Sequence, residues 1–226
     1  MTEILDFEFE RKFLLKNDTS FPNTNGYFIF QAFPYLDDSC GIRVRMEASL
    51  QSVEHIIRTH GLNLKRSDDV AYLIEHCDCS EDSLLTIKES GGGCSGVRYE
   101  KETTVSTNVV RSILMHLAHR DVSAIILKER YSHIVSFQKR TWSWEIDVFQ
   151  GFNAPLVLAE CEDAAPVTDL FIPKFCEREV TGDIQFTNAY LAVHPFSTWT
   201  NRDSVLSSLS FSNEFGTNTF EATDGN

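Results

Sequence analysis

The chain has 226 residues, 42% of them hydrophobic and 17 of them phenylalanine, enough to fill the core of one domain. Its 33 acidic and 20 basic residues leave a formal charge of -13, which repels phosphate backbones and anionic membrane surfaces and argues against nucleic acid or a membrane as partner. No apolar run approaches the ~18 residues of a spanning helix, the start MTEILDFEFE is acidic where a signal peptide is basic, and the six cysteines are scattered, so a soluble cytoplasmic protein with reduced thiols is expected.

The first element, FEFERKFLL (residues 7–15), alternates with period two, which predicts a strand with Phe7, Phe9 and Phe13 on one face and Glu8, Glu10 and Lys12 on the other. Alone, it fits an ordinary half-buried strand whose charges face water. GYFIFQAF (26–33) is an uncharged strand. GIRVRME then carries Arg43 and Arg45, LLTIKES carries Lys88 with Thr86 two before it, and GVRYEKET carries Arg98, Glu100 and Glu102. ILKERY carries Lys128 and Arg130, SWEIDVF carries Glu145 and Asp147, and LVLAECE carries Glu160 and Glu162. These are eight strand candidates joined mostly by short turns, hence antiparallel. Helices are predicted over 108–120, where Val109, Ile113, Leu114 and Leu117 recur at helical spacing, and more weakly over 49–62. From Thr200 the chain is rich in Ser, Thr, Asn and Asp and predicts a weakly ordered tail.

Seven of the eight strands share one design, and on four of them the charged pair is of a single sign. Arg43/Arg45 and Lys128/Arg130 are purely basic pairs, Glu145/Asp147 and Glu160/Glu162 purely acidic. Like charges two apart on one strand face repel, a cost that surface decoration avoids by mixing signs. A closed eight-stranded antiparallel barrel with helices outside and these faces lining a wet lumen would explain the segregation. Its arginines and lysines would hold phosphates, and its carboxylates a hard cation such as Mg²⁺. The plainer alternative is a sandwich with seven solvated charged faces. Other features point to structure rather than chemistry. GGGCSG lacks the Gly-Lys-Ser/Thr of a phosphate loop and suits a hairpin turn. His76-Cys77-x-Cys79, with Cys94 further on, lacks zinc-knuckle spacing. His116 and His119 suit a solvated helix face, and Trp142 and Trp144 suit packing on the uncharged face.

The motifs together resemble the CYTH domain, or triphosphate tunnel metalloenzyme, family. E-x-E-x-K occurs at Glu8 to Lys12, R-x-R at Arg43 to Arg45, T-x-K at Thr86 to Lys88 and R-x-E-x-E at Arg98 to Glu102. K-x-R-Y follows at Lys128 to Tyr131, W-E-x-D-x-F at Trp144 to Phe149, E-x-E at Glu160 to Glu162, and EVTGDIQFTNAYLA closes the series at 179–192. The resemblance implies a domain over 1–195, with a longer insertion at about 49–82 and a tail over 196–226. The insertion and the closing segment are expected to cap the two tunnel mouths.

The resemblance further implies a triphosphatase dependent on Mg²⁺ or Mn²⁺. Lys12, Arg43, Arg45, Lys88, Arg98, Lys128 and Arg130 would bind substrate; Glu8, Glu10, Asp147, Glu160 and Glu162 would bind metal. Glu100, Glu102 and Glu145 would complete the acidic side, these and Asp147 contacting a second metal or orienting the bases, while Glu8, Glu10 and Lys12 would carry catalysis. No activated Ser, Cys or His is recognisable at known spacing, so the nucleophile is expected to be water. The absence of a recognisable nucleobase pocket favours inorganic tripolyphosphate, hydrolysed to pyrophosphate and phosphate. Thiamine triphosphatase, nucleoside triphosphatase and adenylate cyclase activities remain as alternatives, as does a non-catalytic polyphosphate- or nucleotide-binding module. The protein is expected to act as a monomer or homodimer.

Overall fold

In the computed structural model, residues 9–15, 26–37, 40–90, 98–137, 140–163 and 170–209 are described. Their strands are β1 (Phe9–Leu14), β2 (Gly26–Leu36), β3 (Cys40–Ser49), β4 (Asp82–Ser90), β5 (Arg98–Ser106), β6 (Ile126–Phe137), β7 (Arg140–Phe149), β8 (Val157–Asp163) and β9 (Arg178–Glu179). The helices are α1 (Leu50–His60), α2 (Ser67–His76), α3 (Thr107–Asp121), α4 (Asn188–Val193) and α5 (Arg202–Ser208). All eight expected strands form, as do the helices expected at 49–62 and 108–120.

The strands make one antiparallel sheet in the order β5-β4-β3-β2-β6-β7-β8-β1-β9. The sheet is open, which corrects the expectation of a closed eight-stranded barrel. Among the described residues no pairing joins β5 to β1 or β9. The outer edge of β1, which a closing strand would need, is partly taken by β9 through Phe13↔Glu179 and Leu14↔Arg178. At the other edge β5 presents exposed Lys101, Glu102, Thr103 and Thr104, a polar border of the kind that discourages further pairing. Period-two alternation dictates which face a side chain takes; it does not dictate that the two ends of a sheet meet.

Two layers cover the apolar face. Phe28, Phe30, Val44, Met46 and Ala48 pack under Val53 and Ile56 of α1, Val70, Leu73 and Ile74 of α2, and Val110 and Leu114 of α3. Ser49 accepts a hydrogen bond from Ser52 N to start α1, and Gly61, at φ 62°, ends it in a left-handed turn. The insertion at 49–82 therefore roofs the hydrophobic core; it does not cap the charged face. Beyond it, Phe13, Leu15, Trp142, Trp144, Ile146 and Cys161 form a second apolar cluster with Leu170 and Phe175.

A third cluster closes one end of the opposite, charged face. Leu14, Ile126, Phe149 and Leu158 lie there beneath Val180, Phe186, Leu191, Phe196, Val205 and Leu209. The closing segment 179–192 thus covers one end of an open charged face and not the mouth of a closed tunnel. Residues 196–209, expected as part of a weakly ordered tail, pack with it: their polar composition conceals the apolar anchors Phe196, Val205 and Leu209. Residues 210–226 lie outside the described residues. Among the described residues no helix is long and apolar enough to cross a membrane.

Candidate active site

The register brings the charged positions of the strands to one face. Lys12 stands opposite Glu160, and Glu10 opposite Glu162. Glu160 stands opposite Glu145, and Arg130 opposite Asp147. Across β2, Arg43, Thr86 and Glu102 form one row and Lys88 and Glu100 the next. The side chains of Arg98 and Glu100, and the whole of Glu8, lie outside the described residues.

Between β1 and β6 the charges join in a buried chain. Lys12 Nζ donates to Glu10 Oε1 at 2.8 Å and Glu160 Oε1 at 2.9 Å, and reaches Phe186 O of the capping segment at 3.4 Å. Glu160 Oε2 lies 3.6 Å from Arg130 Nη2. Arg130 forks onto Asp147 with two contacts of 2.7 Å and also pairs with Glu145. Lys128 Nζ donates to Asp147 Oδ2 at 2.5 Å. Lys12, Lys128, Arg130, Asp147 and Glu160 are all buried, Asp147 completely. These charges are therefore not surface decoration.

Burial opposes every charge in this chain, and the neighbours decide which survive. It lowers the Lys12 pKa, but Glu160 and Glu10 more than offset it and hold the ammonium above its ordinary value. Burial raises Asp147, yet Arg130 and Lys128 pull it well below the usual carboxylate range. Lys128 moves down, to about 8, although it pairs with Asp147. The two partners shift differently for a physical reason: Asp147 enjoys two cations, whereas Lys128 is fully buried, adjoins the Arg130 charge and shares a carboxylate already gripped by a guanidinium that stays protonated.

The other half of the face is looser. Arg43 donates to Thr86 Oγ1 at 2.9 Å and to Glu102 Oε2 at 2.9 Å, and Thr86 donates to the same oxygen at 2.9 Å. Arg45 Nε is 3.4 Å from Glu47 Oε1 and makes no hydrogen bond. Directly opposite Arg45 on β2 stands Gln31, buried, with its Nε2 also without a partner. These two donors on adjacent strands could give their hydrogen bonds to an oxyanion on this face. Gln31 escaped the sequence reading because β2 carries no charge; its signal is a lone polar residue in the apolar run GYFIFQAF.

Metal-holding capacity divides unevenly. Both Asp147 oxygens are occupied by Arg130 and Lys128, so Asp147 orients bases here. Glu160 is likewise engaged by Lys12 and Arg130. Glu10, which also pairs with Lys12, stands opposite Glu162 on β8, and the carboxylate oxygens of the two suit Mg²⁺ or Mn²⁺. Among the described residues no three His, Cys, Asp or Glu side chains converge on a ready-made metal cluster.

No family model matches the chain. A curated relative, "Inorganic triphosphatase" of Acetivibrio thermocellus, is 28% identical over 192 residues, covering 85% of this chain and 97% of its own. A solved inorganic triphosphatase, NE1496, is 21% identical over 82% of this chain and 94% of its own, with a TM-score of 0.49. The PH1012 protein of Pyrococcus horikoshii is 13% identical over 68% of this chain and 77% of its own, with a TM-score of 0.36.

Proposed function

We propose that this chain, whose motifs resemble those of the CYTH, or triphosphate tunnel, family, hydrolyses the terminal phosphate of a short triphosphate, inorganic tripolyphosphate first among them. The observation that carries the reading is the buried cation row Lys12, Arg130 and Lys128, with the unmade donors of Gln31 and Arg45 on neighbouring strands. The triphosphatase of Acetivibrio thermocellus, aligned over 85% of the chain, supports it.

Phosphoryl transfer asks a protein mainly for positioning and charge neutralisation. Lys12, Lys128 and Arg130 bind the phosphates from one side, and Arg43, Arg45 and Lys88 from the other, with Gln31 donating between them. Asp147 and Glu145 hold Arg130 in place, and Glu102 holds Arg43. The packed end formed by residues 180–209 excludes water from the side of Leu14, Ile126 and Phe149. Glu10, partly exposed and hydrogen-bonded to Lys12, accepts the proton of the attacking water. Mg²⁺ or Mn²⁺, held by Glu10 and Glu162 with Glu8, would supply further neutralisation of the phosphate oxygens. In a reducing cytoplasm Cys40, Cys77, Cys79, Cys161 and Cys176 stay free thiols, and the protein works as a monomer or homodimer.

The test is a substrate panel. Pure protein with Mg²⁺ or Mn²⁺ is given tripolyphosphate, ATP and thiamine triphosphate separately, and phosphate and cyclic nucleotide are followed. Preferential phosphate release from tripolyphosphate, lost on chelation, is expected. Preference for ATP with cyclic product would replace the reading by a cyclase, and no turnover of any would sink it.

A further inference from the structure

Two cysteines take no part in the charged face. Cys77 follows the end of α2, and Cys79 forms an isolated bridge with Ala48 of β3. Their sulfurs are 3.3 Å apart. The segment between them is held from several sides. Cys77 N donates to Leu73 O at 3.0 Å, Asp78 N to Ser52 Oγ at 2.9 Å, and Ser49 N to Asp78 O at 2.9 Å. The thiols therefore meet in an ordered backbone, and closing an S–S bond of about 2.0 Å asks for movement of only ~1 Å.

Their surroundings differ. Cys77 is buried; Cys79 is half-buried on the wall of an open cleft of about 330 Å³ shared with Tyr27, Glu47, Asp78 and Ser80. The sulfur–sulfur contact with Cys77 lowers the Cys79 pKa, and Arg111 of α3 lowers it further against the cost of burial. The same contact and burial push Cys77 up. Elsewhere Cys161 is buried, and burial raises Cys176 to about 12. A reachable thiol of lowered pKa beside a buried thiol of raised pKa is the arrangement that oxidants select.

We propose that Cys77 and Cys79 form a hydroperoxide-responsive dithiol, with Cys79 attacked first and Cys77 resolving it. The Cys79 thiolate attacks one peroxide oxygen, the O–O bond breaks, and the departing oxyanion takes a proton from solvent, leaving a sulfenic acid at Cys79. The Cys77 sulfur then attacks the Cys79 sulfur; the S–S bond forms, the S–O bond breaks, and the hydroxyl leaves with the Cys77 proton as water. Two thiols and one hydroperoxide give one disulfide, one alcohol (water, when the oxidant is hydrogen peroxide) and one water.

The reduced full chain, treated with equimolar hydrogen peroxide, blocked with iodoacetamide and digested, reports directly by mass spectrometry. The peptide containing both cysteines is expected to lose the mass of two hydrogens, reversibly with dithiothreitol, before Cys40 or Cys176 is modified. In Cys77→Ser, dimedone is expected to label Cys79. The proposal is overturned if that wild-type peptide stays a dithiol while Cys40 oxidises, or if dimedone labels Cys77 in Cys79→Ser faster than Cys79 in Cys77→Ser. The wild-type measurement stands even if a variant fails to fold.

Discussion

Asp147→Asn separates a structural role from a metal-binding one at the centre of the site. The wild-type carboxylate is fully buried and accepts from Lys128 Nζ at 2.5 Å and from two Arg130 nitrogens at 2.7 Å. An asparagine keeps one acceptor, turns the other position into a donor facing donors, leaves the buried Lys128 without its paired carboxylate and leaves Arg130 with Glu145 and the more distant Glu160 alone. Breaking a buried pair from one side costs about 3–5 kcal/mol, which for a chain of this length lowers Tm by roughly 6–20 °C. Because the missing charge can be replaced by a bound polyanion, tripolyphosphate should raise the Tm of the variant by more than it raises the wild type. Thermal melts at neutral pH, with and without tripolyphosphate in the absence of divalent metal, read both effects. The Asp147 pKa is depressed, so its contribution is present above the ordinary aspartate range and is lost only as pH falls through the lower folded value. A variant melting within about 2 °C of wild type, or one less responsive to tripolyphosphate than wild type, would refute the reasoning.

The remaining predictions concern the proposed chemistry. Glu10→Gln should lower kcat by about 10²-fold or more with little change in Tm, since Glu10 is partly exposed; retained turnover would remove it from catalysis. The Lys128 pKa of about 8 predicts that kcat/KM falls as pH rises through that value and the ammonium is lost, and Lys128→Arg should abolish the limb. Folding stability should move oppositely: Lys128 binds fewer protons folded than unfolded between about 8 and the ordinary lysine value, so its contribution rises with pH over that window. Gln31→Leu, which deletes an unmade buried donor, should leave Tm unchanged or higher while raising the tripolyphosphate KM by about tenfold or more; an unchanged KM would detach Gln31 from the substrate.

The faces were legible in the sequence because period two reports them directly. Alternation puts Lys12, Lys128, Arg130, Asp147 and Glu160 on one face, and the strand order and register of the sheet then bring them together. Why like signs cluster was only half legible. The basic pair on β6 lies against the acidic pair on β7, so Arg130 is satisfied across the strands by Asp147 and Glu145 even before a ligand arrives. Closure was illegible, since it depends on where β9 docks against β1 and not on any residue pattern within the strands. The packing of 196–209 was hidden by averaging: Phe196, Val205 and Leu209 are few, yet they complete a cluster begun by Leu14 and Phe149. Gln31 was hidden by the search for charge, and the Cys77/Cys79 pair by the search for metal spacing. Its chemistry comes from the docking of the α2 terminus against β3.

The central claim is that water, assisted by this charged face, attacks the terminal phosphorus of a triphosphate. Tripolyphosphate hydrolysed by the pure protein in heavy-oxygen water, with the products separated and weighed by mass spectrometry, tests it most directly. One phosphate and one pyrophosphate per turnover are expected, with the heavy oxygen in the phosphate alone. Label in the pyrophosphate, or no release of phosphate from tripolyphosphate, would contradict it.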